Sequence, residues 1–153
     1  MVSKRKSKMS NVLGIKFIGG KPYNNNKGMS NFEIIEKAHK LRLPNFKYYM
    51  RDEIPKHCTS KKECGIINLD SAKNSGTHHC AYWKDNKNHY YFDSYGLDPP
   101  DEMINYLDWM IVNTYQIQQF NDSNCSEWCL YVLYELKRGK DFIDIILDII
   151  NDR

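Results

Sequence analysis

Apolar and polar residues follow a helical period in the first ordered-looking stretch of the chain. Ser30 and Glu33 have the spacing of a capping box. Apolar residues then recur at helical intervals: Phe32, Ile35, Ala38 and Leu41. This pattern predicts a helix that begins at Ser30 and is ended by Pro44. The stretch Tyr48–Pro55 has neither a helical nor a strand period, and we interpret it as a loop.

The middle of the chain has the pattern of strands. Cys64–Asp70 is a short apolar run between turn residues, which indicates a strand. Thr77–Trp83 and His89–Asp93 are aromatic-rich runs separated by a short polar segment, which predicts a β-hairpin. If Asp85-Asn86 is the two-residue turn, His78 lies directly opposite Asp93.

The C-terminal third returns to the helical period. We expect helices at 101–110, 125–136 and 141–150 and a strand at 111–119. The polar residues 121–124 form a turn with capping residues before the second of these helices, in which Cys125, Cys129, Val132 and Leu136 share one face. The mixture of helices and strands predicts an α+β layer fold.

Composition favours one globular domain. The chain has 153 residues, of which 41% are hydrophobic. No apolar run approaches the roughly 18 residues that a membrane span requires, so no membrane association is expected. The five cysteines are an odd number in a chain long enough to form a core, which indicates free thiols rather than a disulfide scaffold.

Charge is spread unevenly along the chain. The net charge is +3, but residues 1–31 carry +7, which leaves −4 for the rest. We therefore divide the chain into a basic, flexible arm at 1–29 and a domain at 30–153. The basic arm makes DNA a candidate partner, through phosphate contacts. Gly19-Gly20 within the arm is either a turn or a self-cleavage site.

Three residues at the ends of predicted elements have the chemistry of a nucleophilic site. Cys125 lies in the first turn of a helix, where the backbone N–H groups and the helix dipole favour a thiolate. A nucleophilic cysteine needs a base and a group that orients the base, and His78 with Asp93 can supply both. Because strand side chains alternate, His79 must point to the other face of the sheet.

A side-chain amide completes the set of candidate residues. Gln118, together with the backbone N–H of Cys125, could bind the oxyanion of a tetrahedral intermediate. Gln119 is equally placed along the sequence.

The order of these blocks resembles the adenovirus-type maturation cysteine proteases. The segments that carry the resemblance are Cys64–Asp70, Gly76–Tyr82, Tyr91–Gly96 and Ile117–Cys129, and the similarity covers the chain from about Ser30 to its end. The resemblance implies a papain-like, adenain-like fold, in which a central mixed β-sheet is flanked by helices and the nucleophile begins a helix. It also implies that His78 is the general base, Asp93 the orienting acid, Cys125 the nucleophile and Gln118, seven positions before it, the oxyanion residue.

Two positions differ from the family pattern. The family usually has tryptophan after the base and glycine after the nucleophile, where this chain has His79 and Ser126. Neither change removes a reacting group.

The resemblance implies a viral thiol protease, a monomer without a cofactor. It would cleave capsid or core precursor polypeptides at Gly-Gly-type sites during maturation, in the virion and at the assembly site in the infected cell. A second hypothesis is a protease that removes ubiquitin-like modifiers. A third is a zinc-stabilised binding module whose ligands would come from Cys58, Cys64, His78, His79 and Cys80.

Overall fold

The computed structural model describes residues 17–18, 21–22, 28–70, 78–118 and 124–151. Within them the protein is an α+β fold that contains a five-stranded mixed, open sheet and four helices, as the sequence predicted at this level. The helices are α1 (Asn31–Lys40), α2 (Asp101–Leu107), α3 (Cys125–Lys137) and α4 (Phe142–Asn151). The strands are β1 (Phe17–Ile18), β2 (Lys21–Pro22), β3 (Phe46–Met50), β4 (Glu63–Asn68), β5 (His79–Lys84), β6 (His89–Phe92) and β7 (Ile111–Val112).

The main sheet has the strand order β3-β4-β5-β6-β7. The three central strands β4, β5 and β6 are antiparallel to one another, while each edge strand, β3 or β7, runs parallel to the strand beside it. β1 and β2 form a separate antiparallel pair in the N-terminal arm. Gly19-Gly20 lies outside the described residues, so both interpretations of it stay predictions.

Helix α1 begins as the capping box predicted. The Ser30 hydroxyl accepts from the Glu33 N–H at 3.2 Å, and the Glu33 carboxylate accepts from the Ser30 N–H at 3.4 Å. The helix ends at Lys40, before Pro44 is reached, because Arg42 takes a left-handed conformation (φ 55°) that a helix cannot continue.

The loop predicted at Tyr48–Pro55 is wrong at its first three residues, because they belong to strand β3 (Phe46–Met50). This strand pairs in parallel with β4 at the edge of the sheet, and all five of its residues are half-buried. A strand with this even burial has no alternation of apolar and polar residues, so the period-2 pattern that signals a strand was missing.

The hairpin of β5 and β6 was predicted, but its register was wrong. Ala81 pairs with Phe92 and Lys84 pairs with His89, so partner numbers are shifted by two from the expected alignment. The Asp85 carboxylate accepts from the backbone N–H groups of Lys87 and Asn88, both at 2.8 Å, which places Asn86-Lys87 at the tip of the turn.

The strand predicted at 111–119 is also shorter than expected, since β7 contains only Ile111–Val112. The chain leaves the sheet at Asn113, whose side chain takes over the pairing. Its amide oxygen accepts from the Asp93 N–H at 3.0 Å, and its amide nitrogen donates to the Asp93 carbonyl at 2.7 Å. A side chain thus replaces a backbone rung next to a candidate site residue.

Helix α3 lies at the centre of the protein. The sequence predicted one buried face, but all nine residues from Cys125 to Leu133 are buried. α3 packs on β5 and is covered by α1 and α4, of which α4 buries Phe142, Ile145 and Ile149. Among the described helices, none combines the length and the apolar character that crossing a bilayer would take.

Gly65 in β4 is a position where we expect a large loss of stability on substitution. A Cβ atom there would lie 2.5 Å from the Lys47 carbonyl oxygen and 2.6 Å from the ring of Tyr82. The Tyr82 ring cannot move easily, because its hydroxyl donates to the buried Glu63 carboxylate at 2.6 Å. Gly65→Ala should lower the free energy of unfolding by about 1–3 kcal/mol, measured by urea denaturation. An unchanged unfolding midpoint would contradict this expectation. It would show that β3 and β5 can make room for the methyl group without loss of stability.

Candidate active site

The candidate residues meet where three elements begin or end. His78 immediately precedes β5, Asp93 immediately follows β6, and Cys125 is the first residue of α3. All three residues are buried, and Cys125 is 6% exposed. The fold therefore brings together residues that are 47 positions apart in the sequence at one end of the central strands.

His78 and Asp93 are in direct contact. His78 Nε2 lies 2.7 Å from Asp93 Oδ1. The sequence predicted this contact, but from a hairpin register in which His78 lies directly opposite Asp93, and that register is wrong. The last pair of the actual register is Ala81 with Phe92. Continued by one residue, this register puts Cys80 opposite Asp93, so His78 reaches the carboxylate along a diagonal. The ring of Tyr95 stacks on His78 with a centroid separation of 4.0 Å and holds it from the other side.

The contact with Asp93 determines which nitrogen of His78 is basic. A carboxylate only accepts hydrogen bonds, so Nε2 carries the proton. In the neutral ring Nδ1 then has the free lone pair, and in the imidazolium it carries the second proton. It is buried and has no hydrogen-bond partner among the described residues.

The charges in this group favour a protonated histidine. Burial opposes the charge, but the hydrogen bond with Asp93, followed by the influence of Cys125 and Cys80, raises the pKa of His78 well above its ordinary value.

The thiol of Cys125 shows the complementary shift. Burial raises its pKa, but His78, and after it His79, outweigh burial and lower the pKa to about 6. A thiol with this pKa is largely ionised at neutral pH, and its position in the first turn of α3 adds the favourable end of the helix dipole.

His79 was expected to point away from Asp93, and it does turn to the face of the sheet that carries Tyr48 and Asn68. Its contact with the thiol was not predicted. The backbone N–H of His79 donates to Cys125 Sγ at 3.3 Å, and its ring Nδ1 lies 3.7 Å from the same sulfur. Strand alternation separated the two histidines correctly, but it gave no reason to expect that the second one also reaches the thiol.

Gln118 lies next to this group through its neighbour Ser94. The Ser94 hydroxyl donates to Gln118 Oε1 at 2.5 Å, and the backbone N–H of Gln118 donates to the Ser94 carbonyl at 2.9 Å. Because the amide oxygen of Gln118 accepts from Ser94, the amide nitrogen of Gln118 points away from Ser94. Gln119 and residues 121–123 lie outside the described residues, so the choice between the two glutamines rests on the resemblance.

Three buried cysteines, Cys64, Cys80 and Cys129, have pKa shifts opposite to that of Cys125. All five cysteines fall within the described residues and are free thiols, as composition predicted. Burial raises the pKa of Cys64 to about 12 and that of Cys80 to about 11, and it raises the pKa of Cys129 well above the ordinary value. Nucleophilic character is therefore concentrated at Cys125.

The potential metal ligands of the described chain differ from the set considered for a zinc module. His78, Cys80 and Asp93 offer ligand atoms within 4.8 Å of one another. Cys64 is elsewhere, where it donates to the carbonyl of Pro44 at 3.2 Å. The five residues considered for zinc are thus not gathered at one point, and the group that could hold a cation shares His78 and Asp93 with the candidate catalytic site.

The residues after the nucleophile are buried and polar. The Ser126 hydroxyl donates to Glu127 Oε2 at 3.1 Å, so it is engaged within its own helix. Burial raises the pKa of Glu127 to about 7. Neither residue was singled out for this contact, because polar residues in a helix ordinarily indicate a solvent-exposed face.

Comparison with known proteins gives no match, either to models of protein families or to curated proteins. The functional assignment therefore rests on the geometry of the site and on the resemblance of its motifs.

Proposed function

We propose that the protein is a cysteine endopeptidase with Cys125 as nucleophile, His78 as general base and Asp93 as the residue that orients the base. The observation that carries this proposal is the site geometry: a buried thiol begins α3, and the nearby buried His78 holds the buried Asp93 carboxylate through Nε2 at 2.7 Å. The lowered pKa of the Cys125 thiol agrees with this arrangement. Structural cysteines in this protein have raised pKa values, so burial alone does not produce the arrangement.

The reaction follows from the tautomer of His78. Nδ1 accepts the thiol proton, and the thiolate attacks a peptide carbonyl to form a C–S bond. The imidazolium then gives that proton to the leaving amine as the C–N bond breaks. Water attacks the resulting thioester, its proton passes to Nδ1, and cleavage of the C–S bond releases the acid and restores the thiol. Asp93 keeps the ring in place throughout by accepting from Nε2–H.

The oxyanion of the tetrahedral intermediate requires donors near the sulfur. The backbone N–H of Cys125, at the start of α3, is one such donor, since the first N–H groups of a helix lack partners within the helix. The side-chain amide of Gln118 is the second. Its position is set by Ser94, so loss of the Ser94 hydroxyl should affect turnover through Gln118.

The substrate class comes from the resemblance. A papain-like, adenain-like protease of viral maturation cleaves precursor polypeptides at Gly-Gly-type sites, and we assign the same class of substrate to this protein. The same assignment places it in virions and at their assembly site, as a monomer whose basic arm contacts DNA.

A Gly-Gly peptide that ends in a thiol-reactive group tests the proposal. We expect it to label the protein once, at Cys125, with the site mapped by fragmentation mass spectrometry. Cys58, the partly exposed thiol, is the internal control for non-selective alkylation. Labelling at Cys58 alone, or none at all, contradicts the proposal. A ubiquitin-like protein with the same reactive end, used in parallel, distinguishes an endopeptidase from an enzyme that removes such modifiers.

A further inference from the structure

Cys125 is contacted by a second histidine that the mechanism does not yet use. Both the backbone N–H and the ring Nδ1 of His79 lie near Sγ, at 3.3 and 3.7 Å. The residue is 8% exposed, so water has little access to its ring. Buried polar atoms are ordinarily hydrogen-bonded, so the partners of the His79 ring nitrogens indicate which nitrogen carries the proton.

The hydrogen bonds of Asn68 determine the proton position on His79. The Asn68 amide oxygen accepts from the backbone N–H of Asp70 at 2.9 Å, which fixes the orientation of the amide. Its nitrogen therefore faces two atoms, His79 Nε2 at 3.4 Å and the Tyr48 hydroxyl oxygen at 3.5 Å. An amide nitrogen only donates, so Nε2 must be the accepting, unprotonated nitrogen.

Tyr48 adds a second hydrogen-bonding group at the same nitrogen. Its hydroxyl oxygen accepts from the Asn68 amide nitrogen at 3.5 Å, which leaves its O–H to donate to His79 Nε2, at 2.9 Å. With Nε2 accepting, the single proton of a neutral imidazole lies on Nδ1, the nitrogen that faces the sulfur. His79 thus directs two N–H groups, one from the backbone and one from the ring, at the same sulfur.

We propose that His79 is a catalytic residue that stabilises the Cys125 thiolate by donating its Nδ1–H to the sulfur, while His78 takes the proton. The two adjacent histidines are held in opposite tautomers. Asp93, an acceptor, puts the proton of His78 on Nε2, and Asn68, a donor, puts the proton of His79 on Nδ1. This inference rests on the proposed function, in which Cys125 is the nucleophile.

The pH dependence of the thiol also involves the other groups around it. The titratable groups that face Cys125 or act on it are His78 with Asp93 behind it, His79, Tyr48, Cys129 and Glu127. Of these, Tyr48, Cys129 and Glu127 disfavour the thiolate when they are ionised. The two histidines are the groups that favour it, so removal of either should shift the titration of the thiol upward.

The decisive measurement is the rate of Cys125 alkylation by iodoacetamide as a function of pH, with the rate of the Cys125→Ala protein subtracted. In the wild type the rate should rise with a midpoint near 6, where the thiol loses its proton. In His79→Leu we expect the midpoint to move up by about one pH unit, because one donor to the thiolate is lost. His39→Gln, which changes an exposed histidine of α1, is the matched control and should leave the midpoint unchanged.

A second variant separates this role from packing. In His79→Asn the side-chain amide can put a donor where Nδ1 was, so the midpoint should stay near that of the wild type. A packing role predicts the reverse order, since leucine fills an apolar site better than asparagine. The proposal is overturned if His79→Leu keeps the wild-type midpoint or if both variants move equally.

The test remains decisive if His79→Leu does not fold. Tyr48→Phe leaves His79 in place and removes one group that holds its tautomer, so a smaller upward shift is expected, and no shift would overturn the proposal. Iodoacetamide requires no proteolytic activity. Failure of the Gly-Gly probe would therefore contradict the protease assignment, whereas an unmoved alkylation midpoint would contradict the role of His79.

Discussion

Cys125→Ala should abolish cleavage of a Gly-Gly peptide substrate, with a loss in kcat of at least about 10⁴-fold, to the background rate. Alanine keeps the helix start but has no atom that can form the thioester. The variant should fold normally, because the thiol is small and lies in the first residue of α3. Turnover measured by release of a fluorescent amine, together with thermal unfolding, checks both expectations.

Cys58→Ala is the matched control for this experiment. It removes a partly exposed thiol that lies outside the candidate site, and it should leave turnover unchanged. Equal turnover in the wild type and in Cys125→Ala would exclude Cys125 as the nucleophile. Loss of turnover in both variants would indicate instead that a general thiol effect is being measured.

His78→Gln should lower kcat by about 10²–10⁴-fold, the range that a general base contributes. Glutamine preserves a polar group of similar length but cannot take up the thiol proton. The same change removes the largest influence that lowers the pKa of Cys125. We therefore expect the remaining activity to rise with pH well above 6, where the wild type is already level.

Asp93→Asn should have a smaller effect than His78→Gln. An asparagine oxygen can still accept from Nε2–H, so the tautomer is preserved while the negative charge beside the imidazolium is lost. This division of roles predicts that the rate reaches its plateau at a higher pH in His78→Gln than in the wild type. In Asp93→Asn it should reach the plateau at the wild-type pH. An asparagine variant that is less active than the glutamine variant would contradict it.

The elements of this fold were largely predictable because most of them carry a clear period. The capping box of α1, the apolar run of β4 and the two aromatic strands of the hairpin each gave a local signal that the structure confirms. β3 was missed because an evenly half-buried edge strand has no alternation. The hairpin register was missed because it depends on which carboxylate or amide accepts the turn N–H groups, and Asp85 decides this through its side chain.

The sequence predicted which residues form the candidate site, but it did not predict the geometry of the contacts between them. The contact between His78 and Asp93 was expected, but it is made across a diagonal rather than between opposite partners. The interactions of Tyr48 and Asn68 with His79 join three strands, and such contacts depend on strand order, which no local pattern encodes. Sequence alone separated His78 from His79 by strand alternation, but it gave no role to His79.

The complete burial of the first nine residues of α3 has a consequence for mutational tolerance. A helix with one buried face accepts many substitutions on its other face, but this segment has no such face. In a saturation-mutagenesis library selected only for folding, residues 125–133 should therefore form the longest intolerant run of α3, whereas Lys137 and Arg138, at the exposed end of the helix, should accept most replacements. The helix that presents the nucleophile is thus also the part of the protein with the least freedom to change.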